Sequence, residues 1–324
     1  MAWKKILVVV SRTDTLEQPA LRRALAFADK DVVELELFRV VYDPNLESYP
    51  LMPREEDYFD VRDMLVQRET TALQSMVETL QQRGHRVTAT AVWDYPIYQG
   101  IIRRAVATEA DLVVSESLSM AKVRGLGSAD WPFISGCPVP LLMVKSTGTT
   151  KYRHIAAAID PFHTHDKPAA LDEIILTQAN EMARVFEARM SAVYCFVPLT
   201  EIVGFGSDRR LPPPEAEARL EETSRAAVAD LLSRQGIDLQ VARLLSGTPG
   251  KVLPRFVADE DVDLLAMGAL SRGRIADFVI GTTAGDVLHS AECDLLVLKP
   301  PGVFSSVAAQ LRLEPATTAI LHAS

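Results

Sequence analysis

The chain repeats itself once from end to end, and that repeat limits the folds open to it more than any other feature. Lys4-Lys-Ile-Leu-Val-Val-Val10 is answered by Arg153-His-Ile-Ala-Ala-Ala-Ile159, and Asp111-Leu-Val-Val114 by Asp263-Leu-Leu-Ala266. Gly136-Cys-Pro-Val-Pro-Leu-Leu-Met-Val-Lys145 is answered by Glu292-Cys-Asp-Leu-Leu-Val-Leu-Lys299. The offsets are 149 residues (4 to 153), 152 (111 to 263) and 154 (145 to 299). A period of that size is a whole domain, since solenoid units run to roughly 20–50 residues. A chain of 324 residues suits two such domains.

Each half alternates short apolar runs with longer amphipathic segments. In the second half strands are expected near 153–159, 190–197, 238–244, 263–267 and 294–299, and helices near 169–187, 215–235, 249–259 and 282–290. The strands are nearly continuous in Val, Ile, Leu and Ala, as when both faces of a parallel sheet are covered. On the helix at 215–235, Leu220, Ser224, Ala227, Leu231 and Arg234 show the spacing of one buried stripe. This alternation predicts the α/β class, as two tandem doubly wound parallel five-stranded sheets of Rossmann-like topology. The polar Ser146-Thr-Gly-Thr-Thr150 reads as a linker, which sets domains at 1–146 and 151–303 and leaves a weakly patterned tail over 304–324. Segments 42–58 and 198–214, the latter with Pro212-Pro-Pro214, exceed ordinary loop length and read as lids, binding loops or connections.

Composition narrows the function. The net charge of −9 argues against nucleic acid or an anionic membrane as partner, since both reward clustered Lys and Arg. Cys137, Cys195 and Cys293 are odd in number, widely spaced and without a CxxC pair, which fits a reducing, cytoplasmic setting. The apolar run Ile6 to Val10 is too short for a signal peptide, and no stretch reaches the roughly 18 apolar residues of a bilayer span.

In an open parallel sheet, ligands sit beyond the carboxyl ends of the strands where strand order reverses. Two such ends in the second half carry suggestive residues: Asp160-Pro161 after the first strand, and the run from Met267 to Ala284 after the fourth. Gly268 suits a sharp exit from the strand and close approach by a ligand. Gly281 with Thr282 and Thr283 opens the next helix, offering unpaired N–H groups, hydroxyls and the positive end of the helix dipole. Arg272 and Arg274 lie between and are able to neutralise phosphate charge. Gly-Thr-Thr as a plain helix cap with solvated arginines is the competing reading of these residue types.

The whole arrangement resembles the universal stress protein family, whose nucleotide-binding members carry Gly-x2-Gly-x9-Gly-(Ser/Thr) after the fourth strand. Gly268 and Gly281 match the first and third glycines and Thr282 the hydroxyl residue, while Ser271 replaces the middle glycine. Asp160 matches the family's acidic residue beside the adenosine, and Val197 stands where it could pack against the base. The resemblance covers nearly the entire chain and is nearest to the tandem, E-type branch. Gln18-Pro-Ala-Leu-Arg-Arg-Ala24, Asp130-Trp131 and the Cys-Pro-x-Pro ahead of Met-Val-Lys145 carry it in the first half, and Gly281-x-Thr-Ala284 with Cys293-Asp-Leu-Leu-Val-x-Lys-Pro300 in the second. It implies a stress-response protein that holds ATP or AMP on Asp160, Val197, Met267, Gly268, Ser271, Arg272, Gly281, Thr282 and Thr283. It also implies an intramolecular pseudo-dimer through the apolar last strands, Val139 to Val144 and Leu295 to Leu298, and leaves a further homodimer open. Mg²⁺ would accompany the phosphates, with Asp277 as the one nearby carboxylate, read otherwise as solvated.

The first half is a degenerate copy. Ser11 stands for Asp160 and Ser115 for Gly268, Glu116 follows, and Gly127-Ser128 lies one residue out of register with Gly281-Thr282. Glu116 and Asp130 would set like charge against phosphate. Asp160, His163, His165 and Asp166 make a metal-like cluster, but no second cluster accompanies it and it reads as a polar loop. Cys137 and Cys293 read as small core residues in equivalent positions, His289 as structural, and Asp259-Glu-Asp261 as a solvated turn. No Walker Gly-Lys-(Ser/Thr), no Gly-x-Ser-x-Gly elbow and no Cys/His nucleophile arrangement is present, so no catalytic residue is assigned and hydrolysis is expected to be slow at most. The other class kept open is a carrier of a different small ligand, or an interaction adaptor.

Overall fold

The computed structural model describes residues 3–11, 15–47, 55–116, 130–145, 151–162, 169–203, 213–268, 287, 290–300 and 302. The chain divides into two compact units, one chiefly Ala2–Lys122 with Gly127–Val144 and the other chiefly Lys145–Pro301.

In the first unit the elements run β1 (Lys5–Val9), α1 (Pro19–Phe27), β2 (Glu34–Val41), α2 (Pro44–Glu47), α3 (Glu55–Gln82), β3 (Arg86–Trp93), α4 (Ile97–Ala107), β4 (Leu112–Glu116), α5 (Asp130–Gly136) and β5 (Leu141–Val144). The strands lie in the order β3-β2-β1-β4-β5, every pair parallel. The chain steps outward from β1 to β3, then crosses back to β4 on the other side of β1. Right-handed crossovers on either side of that reversal cover opposite faces of the sheet. That is why β1, β4 and β5 are almost wholly apolar and buried, with Leu7, Val8, Leu112, Val113 and Leu141 no more than 1% exposed.

The second unit repeats the plan with β6 (His154–Ala158), α6 (Ala169–Phe186), β7 (Arg189–Phe196), α7 (Leu199–Val203), α8 (Pro214–Arg234), β8 (Ala242–Ser246), α9 (Pro249–Asp259), β9 (Leu264–Gly268) and β10 (Asp294–Leu298). Its order is β10-β9-β6-β7-β8, again all parallel. Helix α6 packs on β6, β7, β9 and β10, while α8 and α9 pack on β7 and β8.

The two units share their fastenings. One carboxylate oxygen of Asp111 accepts the backbone N–H groups of Lys4 and Lys5 at 2.8 and 2.9 Å. One oxygen of Asp263 accepts those of Arg153 and His154 at 2.6 and 3.0 Å. Each aspartate staples the amino ends of the first and fourth strands, beside the backbone bonds Asp111 N–H to Lys5 O and Asp263 N–H to His154 O, at 2.8 and 2.9 Å. Trp3 meets Phe27 edge to face at 5.9 Å, and Tyr152 meets Phe186 likewise at 4.8 Å.

Several local expectations are corrected. Residues 238–241 do not join the third strand of the second unit. Asp238 instead accepts the N–H of Gln240 at 2.8 Å and winds Leu239–Val241 into a 3-10 turn, so β8 begins at Ala242. The buried stripe of α8 is Ser224, Val228, Leu231 and Leu232. Arg234 lies outside it, paired with Asp230 one turn back at 3.2 Å. The two long loops are partly helical, through α2 and the start of α3 in one and α7 in the other. Cys137 and Cys293 are both buried, at 0% and 3% exposure, but not in equivalent places. The helix-closing bonds Cys137 N–H to Phe133 O and Ala291 N–H to Val287 O, both 2.9 Å, match Cys137 with Ala291. Cys293 stands two residues further on.

Candidate functional site

The reversal of the second sheet falls between β6 and β9. Their register pairs Ile155 with Leu264, Ala156 with Leu265 and Ala157 with Ala266. Asp160 comes three residues after Ala157 and Gly268 two after Ala266, so both stand where the two strands end and the chain departs in opposite directions. That is the crevice in which open α/β sheets bind ligands.

Asp160 is fixed from two sides. Ile159 still donates to Val193 O at 2.9 Å, and the next N–H, that of Asp160, goes to Asp172 Oδ1 at 2.9 Å. Asp172 lies in the first turn of α6 and is fully buried. The Asp160 carboxylate accepts the N–H of Phe162 at 3.3 Å, a local turn that aims it across the strand end. Phe162, 41% exposed, presents a ring 5.7 Å from that of Tyr194 on β7. Burial, and then the negative charge of Asp160, push the Tyr194 phenol up to about 12, so it stays protonated at neutral pH.

Val197 follows the last residue of β7 and is partly exposed. Its neighbourhood is set by Gly247, whose N–H reaches Phe196 O at 2.8 Å. Gly247 has φ +130°, and a Cβ there would meet Val252 Cγ1 at 2.7 Å, so glycine is required on both counts. Met267 is buried at 7% exposure.

Gly268 closes β9 without a positive φ. What demands glycine is space, because a Cβ would stand 2.6 Å from Leu171 Cδ2 and 3.1 Å from Leu171 Cγ. The close approach recorded at this position is that of helix α6. Ser271, Arg272, Gly281, Thr282, Thr283, Arg274, Asp277 and His289 lie outside the described residues, as do His163, His165 and Asp166. Among the described residues no group of three or more His, Cys, Asp or Glu is placed to hold a metal ion.

Asp172, Phe162 and Tyr194 belong to no site motif in the sequence. An acidic residue in a first helical turn reads only as a complement to the helix dipole. Phe162 stands two residues from Asp160 and was the one with a legible signal, an exposed aromatic next to a strand end.

At the same place in the first unit, the backbone N–H of Ser11 goes to Gln18 Oε1 at 3.1 Å, Gln18 being 3% exposed. Ser115 is fully buried and donates to Glu116 O at 2.7 Å. Glu116 accepts the N–H of Ala20 at 3.4 Å and so occupies the amino end of α1 with a carboxylate.

The universal stress protein family model matches residues 2–145 and again 151–299. Universal stress protein E of Photorhabdus laumondii is 24% identical over 310 residues, covering 93% of this chain and 96% of that protein. Universal stress protein E of Escherichia coli K12 is 23% identical over 310 residues, with 93% and 95% covered. Among solved structures, a functionally unknown protein from Pseudomonas aeruginosa PAO1 superposes with TM-score 0.74 at 22% identity, covering 96% of this chain and 98% of that one. A universal stress protein from Archaeoglobus fulgidus gives TM-score 0.55 at 12% identity over 92% of this chain and 99% of its own.

Proposed function

The chain belongs to the universal stress protein family, in its tandem two-domain form, and from that premise we propose that its second domain binds ATP or AMP and acts as a sensor or regulator with at most slow hydrolysis. The observation that carries this reading is the pairing of Asp160 and Gly268 on either side of the strand reversal. The sequence following Gly268 supplies Gly281-Thr282-Thr283 at the family's phosphate-loop spacing. The exposed ring of Phe162 beside Asp160 offers a flat apolar wall of the kind a purine uses. Arg272, Thr282 and Thr283 would take the phosphates, with Val197 and Met267 bounding the base, Ser271 replacing the family's middle glycine and Mg²⁺ accompanying the phosphates. The first domain would bind no nucleotide, because Glu116 already sits at the amino end of α1. No helix among the described residues is long and apolar enough to cross a membrane.

The test is mass spectrometry of small molecules released from the denatured full chain, with titration calorimetry of ATP and AMP. One nucleotide per chain is expected, with binding abolished in Gly281→Val, whose branched side chain enters the phosphate space, and weakened in Asp160→Ala. Release of a different small molecule, with no heat from either nucleotide, sinks the reading in favour of a carrier.

A further inference from the structure

At the opposite, amino end of the first sheet lies a hollow of about 360 Å³, lined by charged and polar groups that include Lys5, Glu34, Glu36, Thr88, Arg104 and Glu109. It opens beneath the carboxyl end of α4. Its volume falls at the small end of the roughly 300–1000 Å³ typical of small-ligand sites.

The second domain shows what ordinarily occupies this space. Strand register aligns Lys5 and Glu34 with His154 and Arg189, and hence Glu36 with Ser191. Arg104 and Phe256 are each the eighth residue of an eleven-residue helix, and each helix is followed by one left-handed residue, Glu109 at φ 52° or Asp261 at φ 49°. In the second domain the His154 ring fills the position. Its two nitrogens bond Glu260 O and Ser191 Oγ, both at 2.9 Å, and it stands 6.2 Å from the Phe256 ring. A neutral aromatic plug in one domain is thus replaced in the other by a lysine, a glutamate and an arginine around open space.

The charges are only half used. Thr90 Oγ1 at 2.7 Å, Arg104 Nε at 2.8 Å and Arg104 Nη2 at 2.5 Å all bond Glu36 Oε1. Among the described residues that leaves Oε2 without a hydrogen-bond partner, on a side chain 13% exposed. Among the described residues Arg104 Nη1 makes no hydrogen bond, and Lys5 Nζ spends one donor on Thr108 O at 3.4 Å. Lys5, Glu34 and Glu109 line the hollow at the surface, where water serves the remaining donors and acceptors and a ligand of matching charge can displace it. Arg104 Nη1 and Lys5 Nζ suit a carboxylate. Glu36 Oε2 and the negative end of α4 suit an ammonium, Glu34 being already paired with Arg86. We infer that the first domain binds a small zwitterion of the amino-acid type in this hollow, independently of any nucleotide in the second.

Saturation-transfer NMR on the full chain tests this, using an equimolar mixture of the proteinogenic amino acids, with acetate and methylamine as single-charge controls. At least one amino acid is expected to receive saturation, and neither control to match it. The signal should vanish in Lys5→His/Glu36→Ser/Arg104→Phe, which installs the second domain's plug, and should persist in Gly281→Val. Glu36→Gln, which keeps the shape, should weaken binding by about tenfold or more. No saturation of any amino acid at millimolar concentration would overturn the inference, as would a signal that survives Glu36→Gln undiminished or a control that binds equally well.

Discussion

Asp172 holds Asp160 by its backbone and not by its charge: the fully buried carboxylate on α6 accepts the Asp160 N–H at 2.9 Å. Removing that acceptor strands a donor at the end of β6, which costs about 1–3 kcal/mol. Asp172→Ala should therefore lower the melting temperature by several degrees, while Asp172→Asn, which retains an amide oxygen, should lose less. Thermal denaturation followed by circular dichroism separates the two.

Gly268 and Leu171 should behave as one packing unit. Gly268→Ala forces its Cβ against a side chain 2.6 Å away, and overpacking of this kind costs about 1–3 kcal/mol. Leu171→Ala alone should cost about 2–5 kcal/mol. The double variant should lose clearly less than the sum, since the smaller side chain vacates the space the new methyl needs. Strict additivity in urea denaturation would contradict the geometry.

His154 makes stability fall in acid. Glu260 O can only accept, so Nδ1 carries the proton and Nε2 accepts from Ser191. Burial, outweighing the Glu260 carbonyl and assisted by Arg189, lowers its pKa below the ordinary histidine value of 6.5. Below about pH 6.5 the unfolded chain therefore binds more protons, and stability present above that pH is lost as pH falls toward the folded value. His85 is shifted in the same direction, by burial and by Lys30 and Arg83. Between pH 7 and 5 the melting temperature should drop, and His154→Gln should flatten part of that slope.

The thiols should be inert. Burial pushes Cys195 and Cys293 up to about 12, and Cys137 is fully buried with its Sγ near Val139 O at 3.5 Å. With almost no thiolate at neutral pH, iodoacetamide should label the native chain slowly and take up three equivalents only after denaturation. Rapid native labelling of Cys195 would show that its strand end opens.

Phosphate release from ATP should stay below about one per second at saturating ATP and Mg²⁺, beneath ordinary enzyme turnover. The sequence supplies N–H groups, hydroxyls and arginines for phosphate but no Walker lysine, and affinity equal for ground and transition states gives no rate. Faster release that disappears in Gly281→Val would make the protein an enzyme.

The sheet was legible because its strands carry their own signature. The apolar runs at 153–159, 263–267 and 294–299 met β6, β9 and β10 to within about two residues, as buried parallel strands should. Residues 238–241 misled because Leu239 and Val241 look strand-like, while the decisive event is one Asp238 side chain bonding two residues ahead. Asp160 and Gly268 were found from the fold rule for strand ends. Asp172, Leu171 and Tyr194 were not, because each reaches the site from another element and no spacing in the sequence announces the meeting. The charged hollow was invisible for the same reason: Lys5, Glu36 and Arg104 come from two strands and a helix, and the missing histidine plug shows only in the matched strand registers of the two domains.

The staples at Asp111 and Asp263 also fix when each domain can fold. Each joins residues about a hundred apart in the chain, with separations of 107 from Lys4 to Asp111 and 110 from Arg153 to Asp263. The central strand of each sheet therefore waits, with one flank bare, until its fourth strand has been made. Contacts of such long range are slow to close, and an unpaired apolar strand is open to wrong partners meanwhile. Because the domains are in series, the first can close its sheet on a ribosome that has yet to translate the second. Its sister's first strand then emerges only after the first domain's central strand is already sheathed.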